Sequence, residues 1–115
     1  MDSKGLESFC RRAAEYALMA PDRLRIYHVS LPYDYSNMTW QPDYDTFDSF
    51  VIIAASAEEA RYTYPGGGQI VLNSDDPYTT WPTLDEDIRQ LDVIEIGIAH
   101  EDAEPGVVVA SFNAG

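Results

Sequence analysis

The chain has 115 residues, 45% of them hydrophobic, which suits a single domain with a real core and excludes wholesale disorder. Its 20 acidic and 7 basic side chains give a formal net charge of −13, which repels nucleic-acid backbones and anionic membranes and attracts basic protein surfaces. No apolar run approaches the roughly 20 residues of a membrane span, and the N-terminus lacks the pattern of a signal peptide. We therefore predict a cytoplasmic protein that binds neither nucleic acid directly nor a membrane.

The first predicted element is an amphipathic helix within residues 1–22. Its apolar positions recur three or four residues apart, as on one face of a helix, and Pro21 is expected to end it. Cys10 lies on this face; as the only cysteine it excludes an internal disulfide, and we interpret it as a packing residue. The segment is either an appendage or packed on a core domain that spans residues 23–115. The apolar positions are Leu6, Phe9, Cys10, Ala13, Ala17 and Ala20.

Two strands and a helix are predicted in the first half of the core domain. Residues 23–31 alternate well enough for a strand, with His28 near its middle. Residues 49–55, SFVIIAA, are almost all apolar, which is typical of a central strand covered on both faces. Ser56 and Glu59 then match a capping box, in which each side chain accepts the other's backbone amide. This motif predicts a helix of about two turns.

Two further strands are predicted over residues 91–99 and 106–112. The connection from the second strand through the helix to the third strand is long enough for a crossover, so these two strands are expected to run parallel. Residues 69–72, QIVL, are interpreted as a short edge strand within that connection. The predicted class is α+β: a single two-layer domain with a mixed sheet of about four strands (ββαββ) and an added N-terminal helix.

Two long connections, residues 32–47 and 65–90, carry many of the acids together with large aromatic residues. The first leads into the second strand, and the second begins after a helix that runs back along the sheet, so both are expected at one rim. Carboxylates along an extended segment imitate a row of phosphates, and aromatic side chains anchor interfaces. The predicted partner-binding residues are Asp34, Tyr35, Trp40, Asp43, Tyr44, Asp45, Asp75, Asp76, Trp81, Asp85, Glu86 and Asp87.

No residue pattern indicates catalysis, a cofactor or a metal. His28 falls within a strand and His100 within an acidic turn, and neither has metal-ligand spacing. The glycines at 66–68 lack the Lys-Ser/Thr pair of a phosphate-binding loop. The acids at 43–48 lack the glycine and terminal glutamate of a calcium loop. We therefore predict that the protein is not an enzyme and uses no cofactor or metal.

Two stretches of the chain resemble a group of small uncharacterised acidic proteins encoded by bacteriophages and prophages. The first stretch contains Y-D-x-x-D-S before an apolar strand and then S-x-E-E-A-R at a helix start. The second is the closing G-V-V-V-A-S-F-N-A-G, and a tryptophan-containing loop lies between the two stretches. The resemblance covers residues 23–115 and implies a phage or mobile-element origin. Small acidic phage proteins often inhibit host defences, including CRISPR effectors and restriction enzymes. The matching positions are Tyr44, Asp45, Asp48, Ser49, Ser56, Glu58, Glu59, Ala60, Arg61, Trp81 and residues 106–115.

Charge and resemblance together predict a protein that binds a basic surface of a host defence nucleoprotein or nuclease. It would inhibit that partner by nucleic-acid mimicry, in the manner of an anti-CRISPR protein, within the bacterial host cytoplasm. The alternative is a non-catalytic interaction or accessory module whose acidic surface gives only solubility. Homodimer formation through an exposed sheet edge or the N-terminal helix stays open.

Overall fold

A computed structural model describes residues 23–42, 45–76 and 78–114, which form a four-stranded sheet and two short helices. The α+β class and the single domain predicted from the sequence are confirmed. The helix predicted within residues 1–22 lies outside the described residues. In chain order the elements are β1 (Arg25–Ser30), β2 (Thr46–Ala54), α1 (Ala57–Arg61), α2 (Asp85–Ile88), β3 (Asp92–Ile98) and β4 (Gly106–Asn113).

Each strand pairing in the described sheet is antiparallel, and the spatial order is β3-β1-β2-β4. The prediction of a mixed sheet is therefore wrong. β2 and β3 do run in the same direction, but β1 lies between them and pairs with both. The connection after β2 passes over β1, where α1 contacts β1, β2 and β3, and it returns the chain on the far side. A parallel pair never forms because the crossover skips one strand.

The hydrophobic core lies on one side of the sheet, which we call the inner face. Tyr27 and Val29 of β1 pair in register with Ile52 and Phe50 of β2, and all four side chains are buried there. Trp81 packs its ring edge-on against Phe50, with 5.7 Å between ring centroids. The connections, rather than a long helix, supply the second layer. The remaining members of the core are Ala54, Ala60, Ile70, Ile88 and Leu91.

The other side of the sheet, the outer face, is only partly buried in the described structure. His28 stands opposite Val51 on β2 and opposite Ile94 on β3, and Val51 stands opposite Val109 on β4. Ile94 and Val109 are exposed, while His28 and Val51 are half-buried. The sequence predicted a strand covered on both faces; among the described residues β2 is buried on the inner face and half-buried on the outer face. A half-buried sheet surface also favours β-branched side chains.

The predicted helix start at Ser56 is present. The Ser56 hydroxyl accepts a hydrogen bond from the Glu59 amide (3.1 Å), as expected for an N-cap. The Glu59 carboxylate accepts from the Ala55 amide (3.0 Å), one residue earlier than the predicted Ser56 amide. α1 is shorter than the two turns predicted, because Thr63 already pairs with Gln69 in an isolated antiparallel bridge.

The predicted edge strand at residues 69–72 does not form. Gln69 makes the isolated bridge, and Ile70 reaches the core and donates its amide to the Tyr62 carbonyl (2.9 Å). Val71 and Leu72 are exposed and pair with no strand in the described structure. The buried side chain of Ile70 therefore holds this segment against the core, whereas a strand would require a neighbouring strand with which to form a ladder of hydrogen bonds.

Candidate acidic interaction site

The buried carboxylate of Asp87, in α2, joins the two long connections. Its Oδ1 accepts the Thr39 amide (2.8 Å) and its Oδ2 accepts the Trp40 amide (2.8 Å). Asp87 is 0% exposed, so these two bonds replace its hydration. The described parts of residues 32–45 and 73–90, which we call the acidic loops, are thereby held side by side, at one rim as the sequence predicted.

Further hydrogen bonds join the acidic loops and fix them to the sheet. The Trp40 indole Nε1 donates to the Thr79 carbonyl (3.4 Å), and the Thr39 hydroxyl donates to Glu86 Oε1 (3.2 Å). The Phe47 amide, at the start of β2, donates to the Thr80 carbonyl (3.0 Å). The contact between loops thus has several independent bonds, and its position relative to β2 is set.

The predicted acidic contacts divide into exposed, paired and buried groups. Asp85 forms an ion pair with Arg89 (2.9 Å) and accepts a hydrogen bond from the Tyr62 hydroxyl. Asp87 was predicted to contact a partner, and this is wrong because its carboxylate is buried and accepts hydrogen bonds from two backbone amides. Asp43 lies outside the described residues. The exposed members are Asp34, Asp45, Asp75, Asp76 and Glu86.

The predicted aromatic anchors also divide. Tyr35 is exposed and Trp40 is half-buried, whereas Tyr44 lies outside the described residues. Trp81 is 1% exposed and packs on Phe50, so the prediction that it anchors a partner is wrong. Its large apolar ring stabilises the domain more by filling the core than by standing in water.

Two further tyrosines of the long connections, Tyr33 and Tyr78, are also among the large aromatic residues that the sequence places between the acids. Tyr33 is fully exposed and Tyr78 is 86% exposed. Each follows a proline and lies within two residues of an aspartate, in PYD and DPY. Proline and aspartate favour turns that lie on the surface. Their position next to Tyr33 and Tyr78 therefore predicts that these two rings are exposed, whereas no such neighbours precede Trp81.

Asp34 and Asp76 shape the turns that carry these tyrosines. Asp34 Oδ1 accepts the Ser36 amide (3.0 Å), and Asp76 Oδ1 accepts the Tyr78 amide (2.9 Å). Both are Asx turns, in which a carboxylate replaces a backbone acceptor. Hydrogen bonds from the side chain and then the backbone of Ser36 lower the pKa of Asp34. Asp34 therefore keeps its negative charge to lower pH than an ordinary aspartate.

The Tyr62–Asp85–Arg89 cluster at the start of α2 is electrostatically coupled. The hydrogen bond from Tyr62 lowers the pKa of Asp85, and the nearby Arg89 guanidinium lowers it further. The same bond raises the pKa of the Tyr62 hydroxyl. Asp85 stabilises α2 as an anion in the first turn and is correspondingly less available to a partner.

The arginines of the described residues donate to backbone carbonyls or pair with acids, and one of these pairs, Arg89 with Asp85, lies within the acidic loops. Arg23 donates to the Ala99 carbonyl (2.9 Å), and Arg25 pairs with Glu95 (2.8 Å). Arg61 donates to the carbonyls of Ile88, Arg89 and Leu91. Arg89 pairs with Asp85. Four exposed carboxylates of the acidic loops form no ion pair with these arginines within the described structure: Asp34, Asp75, Asp76 and Glu86.

A depression of about 410 Å³ opens beside the second acidic loop. The residues that line it include Tyr64, Val71, Asp76 and Tyr78. A carboxylate beside aromatic and aliphatic walls suits the head and stem of an arginine or lysine side chain. The arrangement can therefore bind a basic side chain without any catalytic group.

The described residues contain no group of three or more His, Cys, Asp or Glu side chains that could hold a metal ion. His28 lies within β1, and His100 lies in the β3–β4 turn, where its Nδ1 accepts the Asp102 amide (3.1 Å). Among the described helices, none is both long and apolar enough to cross a membrane.

No protein-family model, curated protein or solved structure matches this chain.

Proposed function

We propose that the protein is a non-catalytic inhibitor that binds a basic, nucleic-acid-binding surface of a host defence complex through its acidic loops. The observation that carries this proposal is the Asp87 clamp, which holds two loops bearing exposed carboxylates side by side. The inward or paired arginines of the described residues form no ion pair with Asp34, Asp75, Asp76 or Glu86, so these four carboxylates can face an external cation. The phage resemblance supplies the class of partner.

Each part of the acidic loops has a distinct role in this proposal. The carboxylates of Asp34, Asp75, Asp76 and Glu86 steer a basic partner and occupy sites that otherwise hold phosphates. Tyr33 and Tyr78 supply contact area and slow dissociation, as large aromatic anchors do. The depression beside Asp76 and Tyr78 receives an arginine or lysine of the partner. The inhibitor acts by occupancy and needs no turnover.

A second candidate function is an accessory module that binds through its sheet edge, with the acids serving solubility. β4 favours it: the strand carries no charged residue, and Val108, Val109 and Phe112 are exposed at an edge of the sheet. An uncharged exposed edge is a template for pairing with another strand. Several acids in this molecule also have structural roles, as Glu59 and Asp87 show.

Capture of binding proteins from a bacterial host lysate, followed by mass spectrometry, identifies the partner class. Affinity of the captured partner is then measured against salt and against competing DNA or RNA. We expect affinity to fall steeply with salt and nucleic acid to compete. Binding that is insensitive to both would contradict mimicry and favour the sheet-edge module.

A matched pair of quadruple variants separates the acidic loops from net charge. The loop variant is Asp34→Asn, Asp75→Asn, Asp76→Asn and Glu86→Gln together. The control variant neutralises four exposed acids away from these loops: Glu58→Gln, Glu101→Gln, Asp102→Asn and Glu104→Gln. Because each exposed ion pair contributes about 0.2–1 kcal/mol, four of them contribute about 0.8–4 kcal/mol, and the loop variant should lose about fourfold to several hundredfold in affinity. Equal losses in both variants would mean that net charge alone drives binding.

A further inference from the structure

The depression beside the second acidic loop is preformed, because hydrogen bonds hold its two sides. These sides are the segments that precede and follow Asp76. The Asn73 amide donates to the Thr83 carbonyl (3.0 Å), and the hydroxyl groups of Tyr64 and Thr80 are hydrogen-bonded to each other. The volume of about 410 Å³ lies within the range of about 300–1,000 Å³ that is usual for ligand pockets. A preformed site of this size binds a guest at a low entropic cost.

Buried and exposed residues both line the depression, so it reaches from the core to the surface. Ile70 and Trp81 belong to the core, whereas Val71 is 75% exposed and Tyr78 is 86% exposed. Apolar surface that stands in water beside a concave site is stabilised when a guest covers it. The depression therefore favours a guest that has an apolar part.

Asp76 is the one charged residue among the described residues that line the depression. Its Oδ1 accepts the Tyr78 amide (2.9 Å), which fixes the carboxylate at the turn. Its other oxygen accepts no hydrogen bond from the described residues, and the carboxylate forms no ion pair with them. The site thus carries a single, exposed negative charge that is held in place. Such a site favours a guest with one positive charge and repels phosphates and carboxylates.

We propose that this depression selects an arginine of the partner over a lysine, an inference that rests on the proposed function. A guanidinium is planar and weakly hydrated, so it can donate to a carboxylate while its face stacks on an aromatic ring, whereas the ammonium of lysine is a compact, strongly hydrated charge. Asp76 binds the guanidinium, Tyr78 stacks on it, and Val71 covers the aliphatic stem. Hydroxyl groups on three lining residues can accept the remaining N–H donors. These three residues are Ser74, Thr79 and Thr83.

Titration of the full-length, isotope-labelled chain with capped amino acids tests this proposal without the partner. The probe is Nα-acetyl-arginine methylamide, and NMR follows the backbone amides of Val71 and Tyr78. The citrulline analogue of the probe has nearly the same shape and no charge, and the lysine analogue has the charge without the planar head. We expect saturable shifts at both amides with the arginine probe at millimolar concentration. Citrulline should bind about threefold to thirtyfold more weakly than arginine, and lysine about twofold to fivefold more weakly.

Three variants assign the roles within the depression. Asp76→Asn keeps an oxygen that can accept the Tyr78 amide but removes the charge, so it should bring the affinity for the arginine probe close to that for citrulline. Tyr78→Leu should abolish the preference for arginine over lysine. Glu101→Gln removes one exposed charge in the β3–β4 turn, outside the acidic loops, and should leave the affinity for the arginine probe unchanged.

Equal affinity of the unaltered chain for the arginine and citrulline probes, or for the arginine and lysine probes, would overturn the proposal. Shifts spread over the surface, with none concentrated at Val71 and Tyr78, would overturn it as well. Failure here is distinguishable from failure of the proposed function. Equal probe affinities together with salt-sensitive binding of a captured partner would remove the arginine site alone. Selectivity for the arginine probe together with partner binding that is insensitive to salt and nucleic acid would remove mimicry alone.

Discussion

Replacing Asp87 by alanine should separate the acidic loops from each other and destabilise the domain. The substitution removes the acceptor of two hydrogen bonds, from the Thr39 and Trp40 amides, each 2.8 Å long. It leaves both amides in a partly buried place without that partner. Among the described residues, the Asp87 side chain accepts these two loop amides and no amide of the sheet, so the effect should begin in the loops.

The expected loss is about 2–3 kcal/mol in the free energy of unfolding. Each bond to a charged group contributes about 1.5–3 kcal/mol, and removing one partner leaves a desolvated amide. The desolvation cost of a buried carboxylate, which disappears with it, offsets part of the sum. Asp87→Asn keeps one acceptor oxygen and should lose about 1–2 kcal/mol.

Urea denaturation followed by circular dichroism measures these losses, with Glu86→Gln as the matched control. The Glu86 carboxylate is exposed and, within the described residues, accepts the Thr39 hydroxyl alone at 3.2 Å, so the stability loss in Glu86→Gln should stay within about 0.5 kcal/mol. Amide hydrogen exchange should accelerate at Thr39 and Trp40 in Asp87→Ala while β1 stays protected. A stability for Asp87→Ala within about 0.5 kcal/mol of the unaltered chain would refute the clamp.

Three further predictions concern the core, a helix start and a coupled carboxylate. Trp81→Ala should lower the free energy of unfolding by about 3–5 kcal/mol in urea melts, because it empties a buried site against the sheet. Ser56→Ala should cost about 1 kcal/mol in thermal melts, through loss of the α1 cap. The contribution of Asp85 to stability is complete above its ordinary pKa of 3.8 and is lost as the pH falls through its lowered pKa; Tyr62→Phe should move that pKa back toward 3.8 in an NMR carboxyl titration.

Each of these has its own control. Tyr78→Ala removes an exposed ring and should change stability by less than about 0.5 kcal/mol; a loss equally small in Trp81→Ala would contradict the role of Trp81 in the core. Ser56→Thr keeps a capping hydroxyl and should retain most of the stability. An unchanged Asp85 pKa in Tyr62→Phe would assign its shift to Arg89 instead of the tyrosine hydrogen bond.

Local sequence patterns predicted the secondary structure well wherever neighbours along the chain set the geometry. Alternation in β1, the apolar run of β2 and the S-x-x-E motif all depend on residues within a few positions of each other. The same reasoning placed the two acidic loops near one another, since both adjoin one rim of the sheet. It failed at residues 69–72, where one buried isoleucine mattered more than a short apolar run.

The sequence by itself determined the excess of negative charge, the absence of an internal disulfide and the positions of the four strands, because composition and short-range periodicity carry that information. Only the tertiary structure decided which carboxylate is buried and which tryptophan fills the core. Asp85, Glu86 and Asp87 are chemically almost equivalent along the chain. Asp87 alone of the three meets the amides of Thr39 and Trp40, 48 and 47 positions away, and no local pattern specifies a contact at that separation.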